Sequence, residues 1–295
     1  MATSVQDFRI ESDLIGERQI SNDKLYGVQT LRGVENFNIS AFHLSDYPLF
    51  IHGLAWTKEA AAIANHRLGL LSDQQKDAIV TACHELLEGK HHDQFPVDMI
   101  QGGAGTTTNM NANEVICNRA LELMGHAKGE FKYLSPNDHV NGSQSTNDAY
   151  PTAIHLGLYA SHLKLRPHFI QLIEALEAKS RQFAHVVKMG RTQLQDAVPM
   201  TLGQTFGGFA SILRHEIANL DYAAQQFLAI NMGATAIGTG ISSEPEYADY
   251  CTAAMAEITG WPITRTDDFV GATSDTSEMI GYSSALRRIA VKVNK

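Results

Sequence analysis

From about Ala153 to Val187, and again from Leu202 to about Ile230, apolar residues recur at helical spacing for longer than most globular helices last. Helices near roughly 30 residues point to a long bundle rather than a globin-like packing. Pro167 predicts an interruption and a kink inside the first stretch, and Gly190 to Pro199 reads as the break between the two. Shorter helical patterns surround them. One starts near Leu54 and carries Trp56, Ala60, Ala61, Ile63, Ala64 and Leu68; Leu70-Leu-Ser-Asp73 ends it and caps the next, Asp73 to Leu87. Others run from Asn111 to Met124, from Tyr247 to Gly260 and from Thr276 onward. Residues 1–50 are rich in turn formers and read as an irregular arm. No strand–turn–strand rhythm appears, so the expected class is all-α.

Length and charge narrow the partners. A chain of 295 residues suggests two domains, and 44% hydrophobic residues suffice for a sizeable core. The net charge of −9, with no basic block, argues against nucleic acid as a partner. Cys83, Cys117 and Cys251 are odd in number and match no metal pattern, which fits reduced thiols in a cytoplasmic protein. Met1-Ala-Thr-Ser-Val-Gln-Asp-Phe8 has no basic and apolar signal pattern, and no apolar run approaches the length of a membrane helix.

Two polar, nearly uncharged runs stand out: Gly102-Gly-Ala-Gly-Thr-Thr-Thr-Asn-Met-Asn-Ala-Asn-Glu-Val115 and Asn141-Gly-Ser-Gln-Ser-Thr-Asn-Asp-Ala-Tyr-Pro-Thr152. Each leads into a helical pattern. Ser, Thr and Asn there can simply cap helices. Two such runs together suggest a site that binds carboxylates with neutral donors and helix N-termini, without Lys or Arg. The loop Gly233-Ala-Thr-Ala-Ile-Gly-Thr-Gly240 resembles a phosphate loop only faintly and reads as a tight turn between helices. His91-His92 reads as a solvated turn, and His139 and His155 as structural residues. Asp148 and Asp196 are expected to fix turns or salt bridges, and Arg191 to pair structurally. Arg32 either pairs or adds charge near a ligand. No metal ligands are assigned.

These motifs, in this order, resemble the aspartase/fumarase superfamily over essentially the whole chain. The matching segments are Arg9-Ile-Glu-Ser-Asp-Leu-Ile-Gly-Glu17, Tyr26-Gly-Val-Gln-Thr-Leu-Arg32, Gly105-Thr-Thr-Thr-Asn-Met-Asn111 and Pro136-Asn-Asp-His-Val-Asn141. Ser143-Gln-Ser-Thr-Asn-Asp148, Gly190-Arg-Thr-Gln-Leu-Gln-Asp-Ala-Val-Pro199 and Gly233–Gly240 complete the set. The resemblance implies residues 1–140 as an N-terminal domain and 141–295 as part of a long five-helix bundle. Four copies would pool their bundles, with each active site at a meeting of three subunits. The implied reaction is a reversible anti elimination of ammonia from L-aspartate to fumarate through an aci-carboxylate, with no organic cofactor. Thr106, Ser145 and Thr146 match the positions that hold the β-carboxylate. Asn147 and Thr192 match those near the leaving amine, and Asn109 and Asn141 supply supporting amides.

Gln193 stands where many relatives, fumarases included, carry His, and Ser135 where fumarases carry another. Gln cannot shuttle a proton near neutral pH, and leaving ammonia needs less acid help than hydroxide. Both positions favour deamination, with Gln193 bonding the amino group, over a class II fumarate hydratase. A non-catalytic scaffold of the lens-crystallin kind would not need the Thr106 and Ser145–Asn147 set. The family's base, a Ser on a glycine-rich loop followed by Pro-Gly-Lys-Val-Asn, has no match here. Lys292-Val-Asn-Lys295 lacks that loop, and Ser283 and Ser284 lie on a helical pattern. The expectation is a chain cut before the base, which belongs beyond Lys295, and therefore inactive by itself.

Overall fold

The structure, a computed structural model, describes residues 8–294. Most of the signal reading on Met1–Phe8, and the terminal Lys295, lie outside them. In chain order the elements are β1 (Phe8–Asp13), β2 (Gly16–Ser21), α1 (Val28–Asn36), α2 (Pro48–Arg67), α3 (Asp73–Leu87) and α4 (Thr106–Leu123). Then come α5 (Thr146–Gln182), β3 (Val187–Thr192), β4 (Gln195–Thr201), α6 (Leu202–Gln225) and β5 (Ala229–Ile230). The rest are α7 (Tyr247–Thr259), β6 (Thr264–Arg265), α8 (Phe269–Ser274) and α9 (Ser277–Val293). The class is all-α, with three two-stranded pieces added.

The chain divides into two units. One comprises the described residues through Leu158 together with Leu228–Asp275; the other comprises Tyr159–Phe227 and the residues from Thr276. In the first unit, α2, α3 and α4 share a core that includes Leu54, Ile79, Leu86, Ile116 and Leu121. α2 also packs on α7. Gly53 of α2 is required by its approach to the start of α5, because a Cβ there would collide with the Ala153 carbonyl. In the second unit, Ile173 of α5 meets Ala210, Leu213 and Ile217 of α6, and α9 lies along α6.

Several expectations need correction. The irregular arm is the β1–β2 hairpin followed by α1. Its turn forms because Asp13 Oδ1 accepts from the Ile15 and Gly16 N–H groups at 2.9 and 3.2 Å. The break at Gly190–Pro199 is the antiparallel β3–β4 hairpin. α5 runs uninterrupted through Pro167: one missing N–H does not break a helix whose neighbouring turns are packed and paired. α2 and α4 start earlier than their apolar periodicity does, at Pro48 and Thr106. By contrast, α3 matches its expected span because Ser72 and Gln75 form the capping box at its start.

Candidate functional site

The two polar runs become the N-termini of α4 and α5. Gly105 precedes α4 in the left-handed region, φ 93°, and no side chain caps that end. A Cβ on Gly105 would lie 2.6 Å from the Tyr150 ring, so only glycine lets this end of α4 pack against the first turns of α5. Thr106 opens the helix, exposed, its hydroxyl donating to the Gly103 carbonyl at 2.7 Å. Ser145 caps α5: its Oγ accepts from the Asn147 N–H at 3.2 Å, and its backbone N–H donates to Asp148 Oδ1 at 2.9 Å. The capping reading of these residues is therefore realised. A cap uses the serine oxygen as acceptor and leaves its proton to donate, so it does not exclude a ligand.

Behind these ends lies a group that the sequence reading missed. Lys58 of α2 is fully buried. Its ammonium donates to Asn109 Oδ1 at 2.7 Å, Asn141 Oδ1 at 3.1 Å and Gln144 Oε1 at 2.7 Å, which uses all three protons. Burial pushes the amine down to about 7, and the Asp148 charge pulls it back up. Asn109 passes the order outward. Its Nδ2 donates to Asn141 Oδ1 at 3.1 Å and to Thr146 Oγ1 at 3.2 Å. Asn113, also buried, donates to the same Asn141 oxygen at 3.2 Å. The expectation of carboxylate binding without Lys or Arg thus needs amendment. The surface donors are neutral, but a buried cation polarises them from beneath. The signal was a lysine in helical register with Leu54, Ala61 and Asn65, in a segment otherwise made for burial.

Asp148, the charge in the second run, is buried and spent on backbone. Besides Ser145 N–H it accepts from Gly233 at 3.2 Å and Thr235 at 2.8 Å. Burial raises its carboxyl to about 6 against those three donors. It fixes turns, as expected. The Gly233–Gly240 loop is a turn that serves this helix end: its N–H groups meet Asp148, and its Ala236 carbonyl accepts from Asn147 Nδ2 at 2.6 Å. The structure thus joins Asn109, Asn141 and Thr146 in one network, with Ser145 and Asn147 continuing the same turn. Thr106 has a partner of its own at the α4 end. Thr192 and Gln193 belong to the second unit, exposed at the end of the β3–β4 hairpin, where Gln193 and Leu194 have φ of 48° and 68°.

The remaining candidates are structural. His139 Nδ1 accepts from Ser135 N–H at 2.8 Å, and Ser135 caps the π-helical turn Pro136–Val140. Arg191 pairs with Asp196 at 3.2 Å. Arg32 grips Asp13 with two bonds of 2.8 Å. His91 and His92 bond Glu85 and the Leu86 carbonyl. Among the described residues no group of three His, Cys, Asp or Glu could hold a metal ion, and no helix is long and apolar enough to cross a membrane.

Comparison with known proteins agrees with the motif order. Residues 16–295 match the Lyase family. The chain is 50% identical over 290 residues to aspartate ammonia-lyase of Escherichia coli K12, covering 98% of this chain and 61% of that protein. Against the Pseudomonas fluorescens aspartate ammonia-lyase the identity is 52% over 294 residues, covering 99% and 62%. The solved fumarate lyase:delta crystallin from Brucella melitensis bound to cobalt superimposes with a TM-score of 0.95 at 48% identity, over 97% of this chain and 62% of that one. The chain thus spans about three-fifths of the length of the curated relatives it matches.

Proposed function

Since this chain belongs to the lyase family, within the aspartase/fumarase superfamily, we propose that it serves an aspartate ammonia-lyase: reversible elimination of ammonia from L-aspartate to give fumarate, with no organic cofactor. The observation that carries the reading is the pair of neutral-donor helix ends backed by buried Lys58. A proton beside a carboxylate leaves only if the resulting aci-carboxylate is stabilised, and preorganised donors are the usual largest contribution. Ser145 and Thr146 are offered at the α5 end, and the uncapped α4 end adds Thr106 and its own N–H groups. In this reading those three residues hold the β-carboxylate. Asn147, Thr192 and Gln193 attend the amino group, and Asn109 and Asn141 fix the donors from behind.

None of the described residues around this network is offered as the base. Asp148 is committed to three backbone N–H groups, and Ser283 and Ser284 are on α9. The base is the loop serine that the resemblance implies. In the proposed enzyme, residues 1–140 form the N-terminal domain and 141–295 contribute to the central bundle of a cytoplasmic homotetramer. Supporting the assembly are the exposed Ile280 and Val291 of α9 and Tyr222 of α6; supporting the compartment are three buried free thiols.

The test is substrate choice. Completed to the length of its relatives, the enzyme should form fumarate from L-aspartate far faster than from malate, followed by ultraviolet absorbance. Faster turnover of malate would favour a fumarate hydratase, and no turnover of either a scaffold.

A further inference from the structure

The segment that presents Ser145 is held by an unusual turn. Ser143 has φ 60°, in the left-handed region that a residue with a side chain seldom occupies. Nothing in a serine favours that conformation strongly enough to fix it, so something outside the turn must. That something is Asn65 of α2, which is 2% exposed. Its Oδ1 accepts from Ser143 Oγ at 2.8 Å, and its Nδ2 donates to the Gly142 carbonyl at 2.9 Å. One amide therefore grips both the strained residue, by its side chain, and the carbonyl just before it. The side chain of the next residue, Gln144, donates to the same Gly142 carbonyl at 3.1 Å and accepts from Lys58. Lys58 and Asn65 are seven residues apart on α2, two helical turns, and so share a face. The buried bar that carries the cation also carries the clamp.

We infer that Asn65 is a positioning residue: by holding Ser143 left-handed it aims the Ser145 and Thr146 donors at the substrate carboxylate. This rests on the proposed lyase site, since Asn65 reaches the ligand only through Gly142 and Ser143. A shift of about 1 Å in such donors can cost roughly 100-fold in rate.

The experiment uses the enzyme completed to the length of its relatives, as wild type, Asn65→Ala, Ser143→Ala and the double variant. Asn65→Ala should lower kcat roughly 100-fold, with KM within about threefold, because the lost alignment matters most in the transition state. Ser143→Ala, which keeps the Gly142 bond but leaves the buried Asn65 Oδ1 without its donor, should lower kcat by about tenfold with a smaller drop in melting temperature than Asn65→Ala. The double variant should be no slower than Asn65→Ala, since both changes break the same clamp. A crystal structure of Asn65→Ala should show residues 142–145 displaced. Normal kcat in both single variants, or additive losses in the double one, would overturn the inference. So would a variant loop that superimposes on the wild type, whatever the enzyme acts on. Wild-type enzyme without aspartate turnover would instead refute the lyase reading, and the loop position would still decide the role of Asn65.

Discussion

In the first unit Lys58, Glu114 and Asp148 are buried, and each is met by at least three polar partners. In the second, several arginine ion pairs and large apolar side chains face solvent. Glu114 alone accepts from the Gly27, Gln29 and Thr30 N–H groups and from Thr30 Oγ1, at 2.6 to 3.0 Å. Arg166–Asp221, Arg191–Asp196 and Arg288–Glu216 of the second unit are half-exposed or more on the arginine side, while Leu194 is 90% and Tyr222 69% exposed. The contrast separates two ways of spending polar groups. Buried and fully partnered, they fix geometry and are costly to disturb. Exposed, they add little, and apolar faces beside them stabilise nothing until something covers them. Lys58 and Asp148, buried and fully partnered in the first unit, hold the donor ends that the proposed chemistry needs.

That contrast can be broken by experiment. The chain has two tryptophans, Trp56 and Trp261, both in the first unit and 5.1 Å apart. Their fluorescence reads that unit alone. Lys58→Ala should have the largest effect. It leaves the Asn109 and Gln144 oxygens without this donor, while Asn141 Oδ1 keeps Asn109 and Asn113, and should cost about 2–6 kcal/mol in urea denaturation followed by tryptophan emission. A midpoint like the wild type's would mean that the network does not hold the unit together.

Ser145→Ala in the completed enzyme comes next. Loss of one preorganised donor should lower turnover by roughly 10²–10³, while the lost cap costs about 1 kcal/mol of stability. A loss of tenfold or less would reduce Ser145 to a cap.

Glu114 of the first unit and His162 of the second carry pH signatures of opposite sign. Burial raises Glu114 from 4.5 to about 7. Its contribution is therefore full below pH 4.5 and lost as pH rises through 7, a span worth about 3 kcal/mol. His162, between Asp221 and Tyr282 in the second unit, is held low by burial. Its contribution is present above pH 6.5 and lost as pH falls. Glu114→Gln should reduce the slope of tryptophan-detected stability between pH 4.5 and 7, with Asp148 supplying the remainder up to about pH 6; an unchanged slope would assign the dependence to another group.

The smallest effect is expected at the hairpin tip. Leu194→Gln should change the chain's stability by no more than about 0.5 kcal/mol. A larger loss would show that the exposed tip is already covered in solution.

What could be read from the sequence depended on how local the cause was. α3 was legible end to end because Ser72 and Gln75 announce its start within four residues. The first turns of α4 and α5 were not, because Thr106–Asn109 and Thr146–Tyr150 lack apolar periodicity; packing around Gly105 holds the one, and the Ser145 cap the other. The hairpins were too short, and too interrupted by charge, to show alternation. At the site, the polar runs named the exposed donors, but Lys58 and Asn65 act across 51 to 86 residues of chain. Their helical register marks them as inward-facing, and only the fold says what they face.

Asp148 waits for Thr235, 87 residues downstream, to receive its shortest backbone bond. On a ribosome adding about 5–20 residues per second, that interval is roughly 4 to 17 s. During it the start of α5 is already made, with an acidic side chain beside apolar ones and its loop partner still unsynthesised. The donor end of this helix is thus among the last parts of the first unit to mature. A pause in translation between residues 148 and 235 would prolong the period in which a chaperone, rather than the Gly233–Gly240 loop, has to shield it.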